Sequence, residues 1–264
     1  MAYNLNDKLV IAISSRALFD LEEENQIFEK DGLDAYYKYQ LENQDKSLKK
    51  GTGYRLVENI LKINSFFSSD ERQVEVIILS KNNAATSLRI TNAINDLKLD
   101  IIRSAWTSGT NISNYLKAFK VDLFLSADDN DVLNAIENGV AAAKILHSNE
   151  NINNISNEQV RIAFDGDAVL FSEESELVYK NHGLEAFIEH EKENRNNPLE
   201  MGPFAKLLLT IAKIQAKFPT DKSPIRTALV TARSAPTHER VIKTFNLWGV
   251  RVDEAFFLGG TDKY

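Results

Sequence analysis

The chain of 264 residues contains no cysteine, which excludes disulfide bonds, thiolate metal sites and cysteine nucleophiles. It has no apolar run long enough to span a membrane, and residues 1–4 do not resemble the start of a signal peptide. The chain has four histidines, at His147, His182, His190 and His238. They lack the spacing of metal ligands, which argues against a zinc site. These absences predict a cytoplasmic enzyme or binding protein with no membrane partner.

Excess positive charge is also missing. The formal net charge is −7 and the pI is about 5.3, which argues against a protein that binds the backbone of nucleic acids. A small anionic substrate is still compatible, because a local group of cations and helix N-termini can hold one phosphate. Hydrophobic residues make up 43% and charged residues 26%, as in ordinary globular proteins.

What the chain does have is an internal repeat. When it is shifted by 151 residues, residues 8–113 align with 159–264 without a gap, and 24 of the 106 pairs are identical. Chance gives about 6% at ordinary composition, so the pattern indicates a duplication of domain size. Residues 1–150 form the first copy and residues 151–264 the second, with an Asn-rich, linker-like stretch at 148–157.

Short apolar runs alternate with helical patterns in both copies. Such strands predict an α/β fold, internally duplicated, with parallel sheets covered by helices. The predicted strands are Lys8–Ile13, Val74–Leu79, Ile101–Trp106, Val121–Ser126, Val160–Phe164, Ile225–Val230 and Ala255–Leu258. The predicted helices fill most of 16–63 and include Ala84–Leu97, Asp129–Leu146 and Pro236–Leu247. The charged stretch Glu189–Pro198 is expected to be an exposed loop or a frayed helix end.

The two copies differ where the first strand ends. The second copy reads Phe164-Asp-Gly-Asp-Ala-Val169, whereas the first copy reads Ile13-Ser-Ser-Arg-Ala-Leu18. Asp-Gly-Asp alone is also typical of an ordinary turn. Two carboxylates after a buried strand in one copy, and none in the other, favour one working site and one decayed or repurposed site.

This stretch resembles the first motif of the haloacid-dehalogenase-like phosphatases, in which two aspartates follow a strand. Ala228–Arg233 is similar to their second motif, a strand that ends in Thr or Ser, and Leu258–Lys263 supplies a lysine where the third motif would lie. Taken over its whole length, the chain resembles the class-I cytosolic 5′-nucleotidases. The resemblance implies a Rossmann-like fold of haloacid-dehalogenase type with helical cap insertions.

The resemblance also implies roles for individual residues. Asp165 would attack the phosphoryl group and form an aspartyl-phosphate, and Asp167 would act as general acid and then base. The cofactor would be Mg²⁺, bound in an oxygen-only site by Asp165, a backbone carbonyl near Asp167 and a later acid. Phosphate or substrate would be bound by residues of the second and third motifs: Thr231, Ala232, Arg233 and Lys263.

Several of these residues have plainer interpretations. Arg233 could be an exposed loop arginine, and Lys263 a solvated charge near the C-terminus. His238 is expected to serve a capping or surface role in a first helical turn. The acidic run 128–131 begins a helix, which N-capping explains without a metal.

The fourth motif of the resembled family, a late pair of acids, has a counterpart in the first copy at Asp128 and Asp129. The corresponding positions of the second copy would be numbered 279 and 280, beyond Tyr264. We therefore expect a truncated chain, a shortened gene, or a site completed by another element. The loan of Asp128 or Asp129 from the first copy is one such alternative.

Two classes of function follow. The first is a Mg²⁺-dependent 5′-nucleotidase that hydrolyses AMP or a deoxynucleotide, or a related phosphatase of other small phosphates. The second is a non-catalytic nucleotide-binding or regulatory protein. In either case the expected partner is a nucleoside monophosphate and not nucleic acid. The first copy would be a scaffold, cap or pseudo-domain, and a homo-oligomer is compatible with the duplication.

Overall fold

The computed structural model describes residues 4–146 and 159–261. The chain divides into two units, Met1–Asn157 (unit 1) and Glu158–Tyr264 (unit 2). The linker-like stretch 148–157 lies outside the described residues. Each unit has its own parallel sheet, and the roles assigned above to the two copies stay predictions.

The strands of unit 1 are β1 Leu9–Ile13, β2 Phe19–Asp20, β3 Lys49–Lys50, β4 Val74–Ser80, β5 Arg103–Trp106, β6 Leu123–Ser126 and β7 Ala142–Lys144. Five of them form one parallel sheet in the order β5-β4-β1-β6-β7, and β2 and β3 form a small antiparallel ribbon. Every residue of β1 and β4 is buried. Because alternate residues of a strand face opposite sides, both faces of the sheet are covered, as the apolar runs predict.

Helices connect these strands. They are α1 Ser15–Leu18, α2 Glu22–Glu42, α3 Tyr54–Lys62, α4 Leu88–Asp96, α5 Ser113–Leu116 and α6 Asp129–Glu137, with 3₁₀ turns at Ile63–Phe66 and Ser69–Glu71. One hydrophobic cluster joins the sheet centre to the helices, with Ile77, Phe124 and Ala135 among its buried members. This packing fixes the carboxyl ends of the parallel strands at one edge of the sheet.

Unit 2 repeats the plan with strands β8 Val160–Asp165, β9 Ile225–Thr231 and β10 Glu254–Phe257, which form a parallel sheet in the order β10-β9-β8. Its helices are α7 Glu174–Glu193, α8 Ala205–Gln215 and α9 His238–Trp248, with a single turn at Gly166–Leu170 and a 3₁₀ turn at Thr220–Lys222. None of the helices described in either unit has the length and apolar character needed to cross a membrane.

The duplication is also a repeat of local structure. Strands β9 and β10 begin and end 151 residues after β4 and β5. Helices α2 and α7 are each interrupted at an equivalent glycine, with φ 84° and ψ −176° at Gly32 and φ 82° and ψ −175° at Gly183. The predicted α/β fold with a duplicated parallel arrangement is therefore confirmed.

The units differ in how the first strand is flanked. In unit 1, β1 pairs with β4 on one side and β6 on the other. In unit 2, β8 pairs with β9, and no second partner of β8 lies among residues 159–261. Residues along β8 accordingly range from buried to exposed, whereas β1 is wholly buried.

The predicted strands agree with the observed ones to within two residues at each end, but one predicted helix is wrong. Instead of continuing from Asp129 to Leu146, α6 ends at Glu137, and Ala142–Lys144 forms the edge strand β7. Gly139 adopts a φ of 73°, which ends the helix and lets the chain return to pair with β6. Helix α4 also begins later than predicted, at Leu88.

Candidate active site

Asp165 is the last residue of β8, at the carboxyl end of the parallel sheet. One of its carboxylate oxygens accepts a hydrogen bond from the backbone N–H of Gly166 at 2.7 Å, which orients the side chain. The next residues form the turn Gly166–Leu170, in which Ala168 has a φ of 60°. The turn brings Asp167 back toward the same sheet edge, where its carboxylate meets a residue that follows β9.

Thr231 ends the neighbouring strand β9 and is 1% exposed. The register places Asp165 opposite Val230, so the ends of β8 and β9 lie side by side. A Cβ on Gly166 would lie 3.2 Å from Thr231 Oγ1, so glycine permits this close approach. The structure thus brings together the two sequence motifs that were predicted to form one site.

The loop after β10 closes over the end of β9. The backbone N–H of Gly260 donates to the carbonyl of Ala232 at 3.2 Å, and that of Gly259 donates to the carbonyl of Arg233 at 3.2 Å. Ala232 is exposed at the sheet edge. Lys263, the predicted third-motif lysine, lies outside the described residues.

Asp167 and Arg233 form a two-pronged ion pair. Arg233 Nη2 donates to Asp167 Oδ1 at 2.6 Å, and Arg233 Nε lies 3.0 and 3.1 Å from the two carboxylate oxygens. Arg233 is only 3% exposed, with its guanidinium carbon 5.3 Å from the centre of the Phe187 ring. The predicted role of Arg233 in binding phosphate stays a prediction, and the alternative of an exposed loop arginine is wrong.

Burial by itself would lower the pKa of Arg233. Its hydrogen bonds and charge interactions with Asp167 and Glu191 outweigh that effect, so the pKa is raised above its ordinary value. The guanidinium therefore remains charged at any pH at which the protein would be assayed.

Glu191 is the functional-site residue that the sequence prediction missed. It lies within the stretch expected to be exposed, yet its side chain is completely buried. It accepts from Nη1 of Arg233, from Nη1 of Arg240 at 2.9 Å and from Ser175 Oγ at 2.7 Å. The expected loop begins only after α7 ends at Glu193. The repeat alignment pairs Glu191 with Gln40, and both are buried, but the pairing of two polar residues does not by itself predict burial.

The described residues contain two of the acids expected near a metal site, but no complete set of ligands. Asp165 and Asp167 offer the oxygen donors that Mg²⁺ prefers, but residues 4–146 and 159–261 contain no group of three or more Asp, Glu, His or Cys placed to hold an ion. In unit 1, Asp128 caps α6 by accepting from Asp131 N–H, as predicted, and Asp129 pairs with Lys144 at 2.7 Å.

In unit 1, the positions equivalent to Asp165 and Asp167 carry Ser14 and Arg16 instead of carboxylates. Ser15 Oγ lies 3.0 Å from Ser80 Oγ, and Ser14 caps α1 by accepting from Ala17 N–H. Arg16, which aligns with Asp167, lies 3.5 Å from Glu22. The carboxylate at this edge of unit 1 comes from Asp131, which accepts from Ser126 Oγ at 3.4 Å.

The chain matches known proteins over nearly its whole length. A family model described as 5′-nucleotidase matches residues 1–264. Human "Cytosolic 5′-nucleotidase 1B" is 36% identical over 264 aligned residues, which cover 97% of this chain and 43% of that protein. The chain therefore spans less than half the length of this curated relative. No solved structure matches significantly.

Proposed function

This chain belongs to the 5′-nucleotidase family, and from that premise we propose that unit 2 hydrolyses nucleoside 5′-monophosphates to a nucleoside and phosphate. The observation that carries the proposal is the placement of Asp165 and Asp167 at the carboxyl end of β8, beside Thr231 at the end of β9. AMP or a deoxynucleotide is the proposed substrate. The compartment named for the human relative, the cytosol, is proposed for this chain too.

Asp165 would begin the reaction as the nucleophile. One carboxylate oxygen would bond to phosphorus, the bond from phosphorus to the 5′ oxygen would break, and Asp167 would give a proton to that leaving oxygen. Asp167 would then take a proton from water as the water oxygen attacks phosphorus, which restores Asp165 and releases phosphate. The hydrogen bond from Gly166 N–H holds the Asp165 carboxylate at the strand end in advance of this attack.

Other residues of the motifs would hold the phosphate. Thr231 Oγ1 already accepts from the backbone N–H of Arg233 at 3.2 Å, so its own proton is available to a phosphate oxygen. The backbone of Ala232 and the side chain of Lys263 are proposed as further donors. Asp165 and Asp167 would hold Mg²⁺, which would neutralise charge between carboxylate and phosphate.

We propose that unit 1 does not catalyse this reaction and serves as a scaffold or pseudo-domain. The hydroxyl groups of Ser14 and Ser15 stand where unit 2 has Asp165 and Gly166, and Arg16 stands in place of the acid Asp167. A serine hydroxyl without an adjacent base is a poor nucleophile. A non-catalytic, nucleotide-binding role for the whole chain remains the second candidate, favoured by the incomplete acid set among the described residues.

The test is phosphate release from a panel of nucleoside monophosphates with and without Mg²⁺. We expect Mg²⁺-dependent release from the unaltered chain, a loss on the order of 10³-fold or more in Asp165→Asn, and a loss of about 10²- to 10⁴-fold in Asp167→Asn. Ser14→Ala, at the equivalent strand end of unit 1, is the matched control and should retain full activity.

Activity that survives in Asp165→Asn would contradict the nucleophile assignment. Activity that does not depend on the metal would contradict the proposed cofactor. If the unaltered chain releases no phosphate, equilibrium dialysis with AMP decides for the second candidate when the nucleotide binds, and rejects both candidates when it does not.

A further inference from the structure

A chain of buried charged side chains runs inward from Asp167 in unit 2. Asp167 accepts from Nε and Nη2 of Arg233, and Arg233 Nη1 donates to Glu191. Glu191 in turn accepts from Arg240 Nη1 at 2.9 Å. The side chains of Glu191, Arg233 and Arg240 are at most 3% exposed, so water screens these charges little.

Unit 1 contains the counterpart of the innermost arginine. Arg89 aligns with Arg240 at the repeat offset of 151 residues. Its Nε donates to the carbonyl of Lys46 at 3.1 Å, as Arg240 Nε donates to the carbonyl of Asn197 at 2.8 Å. Lys46 and Asn197 are themselves equivalent in the repeat, so both units hold this arginine in the same way.

The carboxylate that neutralises this arginine lies at different positions in the two units. In unit 1 it is Glu24, 2.5 Å from Arg89, and Gln40 is a neutral neighbour at 3.4 Å. In unit 2 the position of Glu24 is occupied by Ser175, and the position of Gln40 by Glu191. The number of buried carboxylates beside the arginine is the same, but the charge has moved to the other end of the helix.

This move matters because only the second position also reaches the site. From there Glu191 contacts Arg233 as well as Arg240. Unit 1 lacks both partners of such a contact, because Asn82 aligns with Arg233 and Arg16 aligns with Asp167. The carboxylate is thus shared between two arginines in the unit that carries the acid pair.

We propose that Glu191 is a positioning residue for Asp167 and acts through Arg233. The inference rests on the proposed function, because it assigns Asp167 a catalytic task. Glu191 occupies Nη1 of the planar guanidinium, which turns Nε and Nη2 toward Asp167. All three guanidinium nitrogens are then engaged, and the Asp167 carboxylate is fixed in direction before substrate arrives.

The test compares Glu191→Gln with the double variant Ser175→Glu/Glu191→Gln. The single variant keeps the shape of the side chain and removes its charge from both arginines. The double variant restores the Glu24/Gln40 arrangement of unit 1. Arg240, which keeps the partly exposed Glu174 at 3.6 Å throughout, then regains a buried carboxylate, while Arg233 does not. The melting temperature reports the effect on the buried pair with Arg240. The values of kcat and KM with AMP report the effect on Arg233 and, through it, on Asp167.

We expect the single variant to melt at a lower temperature and the double variant to recover most of that loss. In both variants kcat should fall on the order of 10- to 100-fold with little change in KM, since misplacing a catalytic group slows the reaction more than it weakens binding. Recovery of kcat together with stability in the double variant would show a purely structural role and overturn the proposal. So would an unchanged kcat in Glu191→Gln.

A readout that does not need activity separates this inference from the proposed function. The Arg233 Nε–H donates to Asp167 in a buried site, so its proton should exchange slowly and be visible by NMR in the unaltered chain. If that chain releases no phosphate, the proposed function fails, and the NMR measurement alone tests whether Glu191 orients Arg233 toward Asp167. Loss of the protected Nε–H in both variants supports this role of Glu191, and persistence of the signal in either variant overturns it. The same measurement on Glu191→Gln suffices if the double variant does not fold.

Discussion

At the scale of single residues, buried carboxylates are the features that most constrain each unit. Glu75 in β4 is completely buried between Arg72 at 3.0 Å and Arg103 at 2.6 Å. Unit 2 has the reverse arrangement at the same strand pair, because Arg226 replaces Glu75 and Glu254 replaces Arg103. That pair is 2.7 Å apart but about two-fifths exposed on each side.

The difference in burial predicts a difference in stability. Glu75→Gln removes a completely buried carboxylate from two arginines, of which Arg72 keeps Asp100 at 2.5 Å, and should lower the free energy of unfolding by about 3 kcal/mol. Glu254→Gln removes the partner of a solvated arginine and should cost about 0–1 kcal/mol. Urea denaturation of both variants checks the contrast. Equal losses would mean that burial does not decide the strength of these pairs.

Asp165 and Asp167 show what a sequence pattern can predict about a site and what it cannot. Their position after a buried strand predicts that both lie at its carboxyl end, and the resemblance to the phosphatase motifs adds Thr231. In the structure, Asp165 and Thr231 end adjacent strands of one sheet. Nothing in the spacing reveals that Asp167 meets Arg233, because 66 residues separate them and the contact depends on how the turn Gly166–Leu170 folds back.

At the scale of elements, the long helices α2 and α7 are each two helical segments joined at a glycine. Gly32 and Gly183 have φ above 80° with ψ near 180°, a backbone region that is essentially closed to other residues. No atom lies within 4 Å of a Cβ added at either position, so steric contact is not the reason for glycine. The bend separates the start of α7 from the segment that carries Glu191.

Gly183→Ala should therefore destabilise the protein by about 1–3 kcal/mol through backbone strain alone. Gly32→Ala, the equivalent change in unit 1, should cost a similar amount. Glu185→Ala is exposed on the same helix with ordinary backbone angles and should change stability by less than about 0.5 kcal/mol. Thermal unfolding of the three variants measures this, and a neutral Gly183→Ala would show that the bend is not required.

Between α6 and β7, helical periodicity predicts a longer helix than the structure contains. Val140, Ala141 and Ala142 have apolar side chains suited to either a helix or a buried strand. Asn138-Gly139 ends the helix locally, and pairing with β6 then selects the strand. Hydrogen-bond partners from another part of the chain decided this choice.

At the scale of the whole molecule, the described parts of the two copies differ in the number of strands and in the residues at the end of the first strand. Unit 1 has a five-stranded sheet and no carboxylate pair at the end of its first strand. Unit 2 has the pair, and its described residues form a three-stranded sheet. The acid pair therefore lies in the copy whose described sheet has fewer strands.

This division predicts how a fragment behaves. Residues 1–146 contain the whole five-stranded sheet and its hydrophobic cluster, so we expect them to fold alone with a cooperative thermal transition. The fragment should release no phosphate from AMP, because Ser14 and Ser15 stand where the aspartate motif begins in unit 2. Circular dichroism and a phosphate assay test the two statements. A transition without cooperativity would mean that unit 1 depends on unit 2 to fold.

The sequence by itself determined the duplication, the strand cores and the position of the acid pair. These are local or periodic properties: an apolar run marks a buried strand, and two aspartates that follow it must lie at its carboxyl end. The shift of 151 residues placed Gly32 with Gly183 and Arg89 with Arg240, and each pair has the same backbone angles or the same backbone contact.

Only the tertiary structure decided which charges meet. Glu191 lies in a highly charged stretch that is typical of a solvated surface, yet it is buried because Arg233 and Arg240, more than 40 residues later, fold onto it. A carboxylate becomes buried only where cations compensate its lost hydration, and those cations come from distant elements. For that reason the acids that begin the proposed chemistry could be read from the chain, whereas Glu191, the residue proposed to position Asp167, could not.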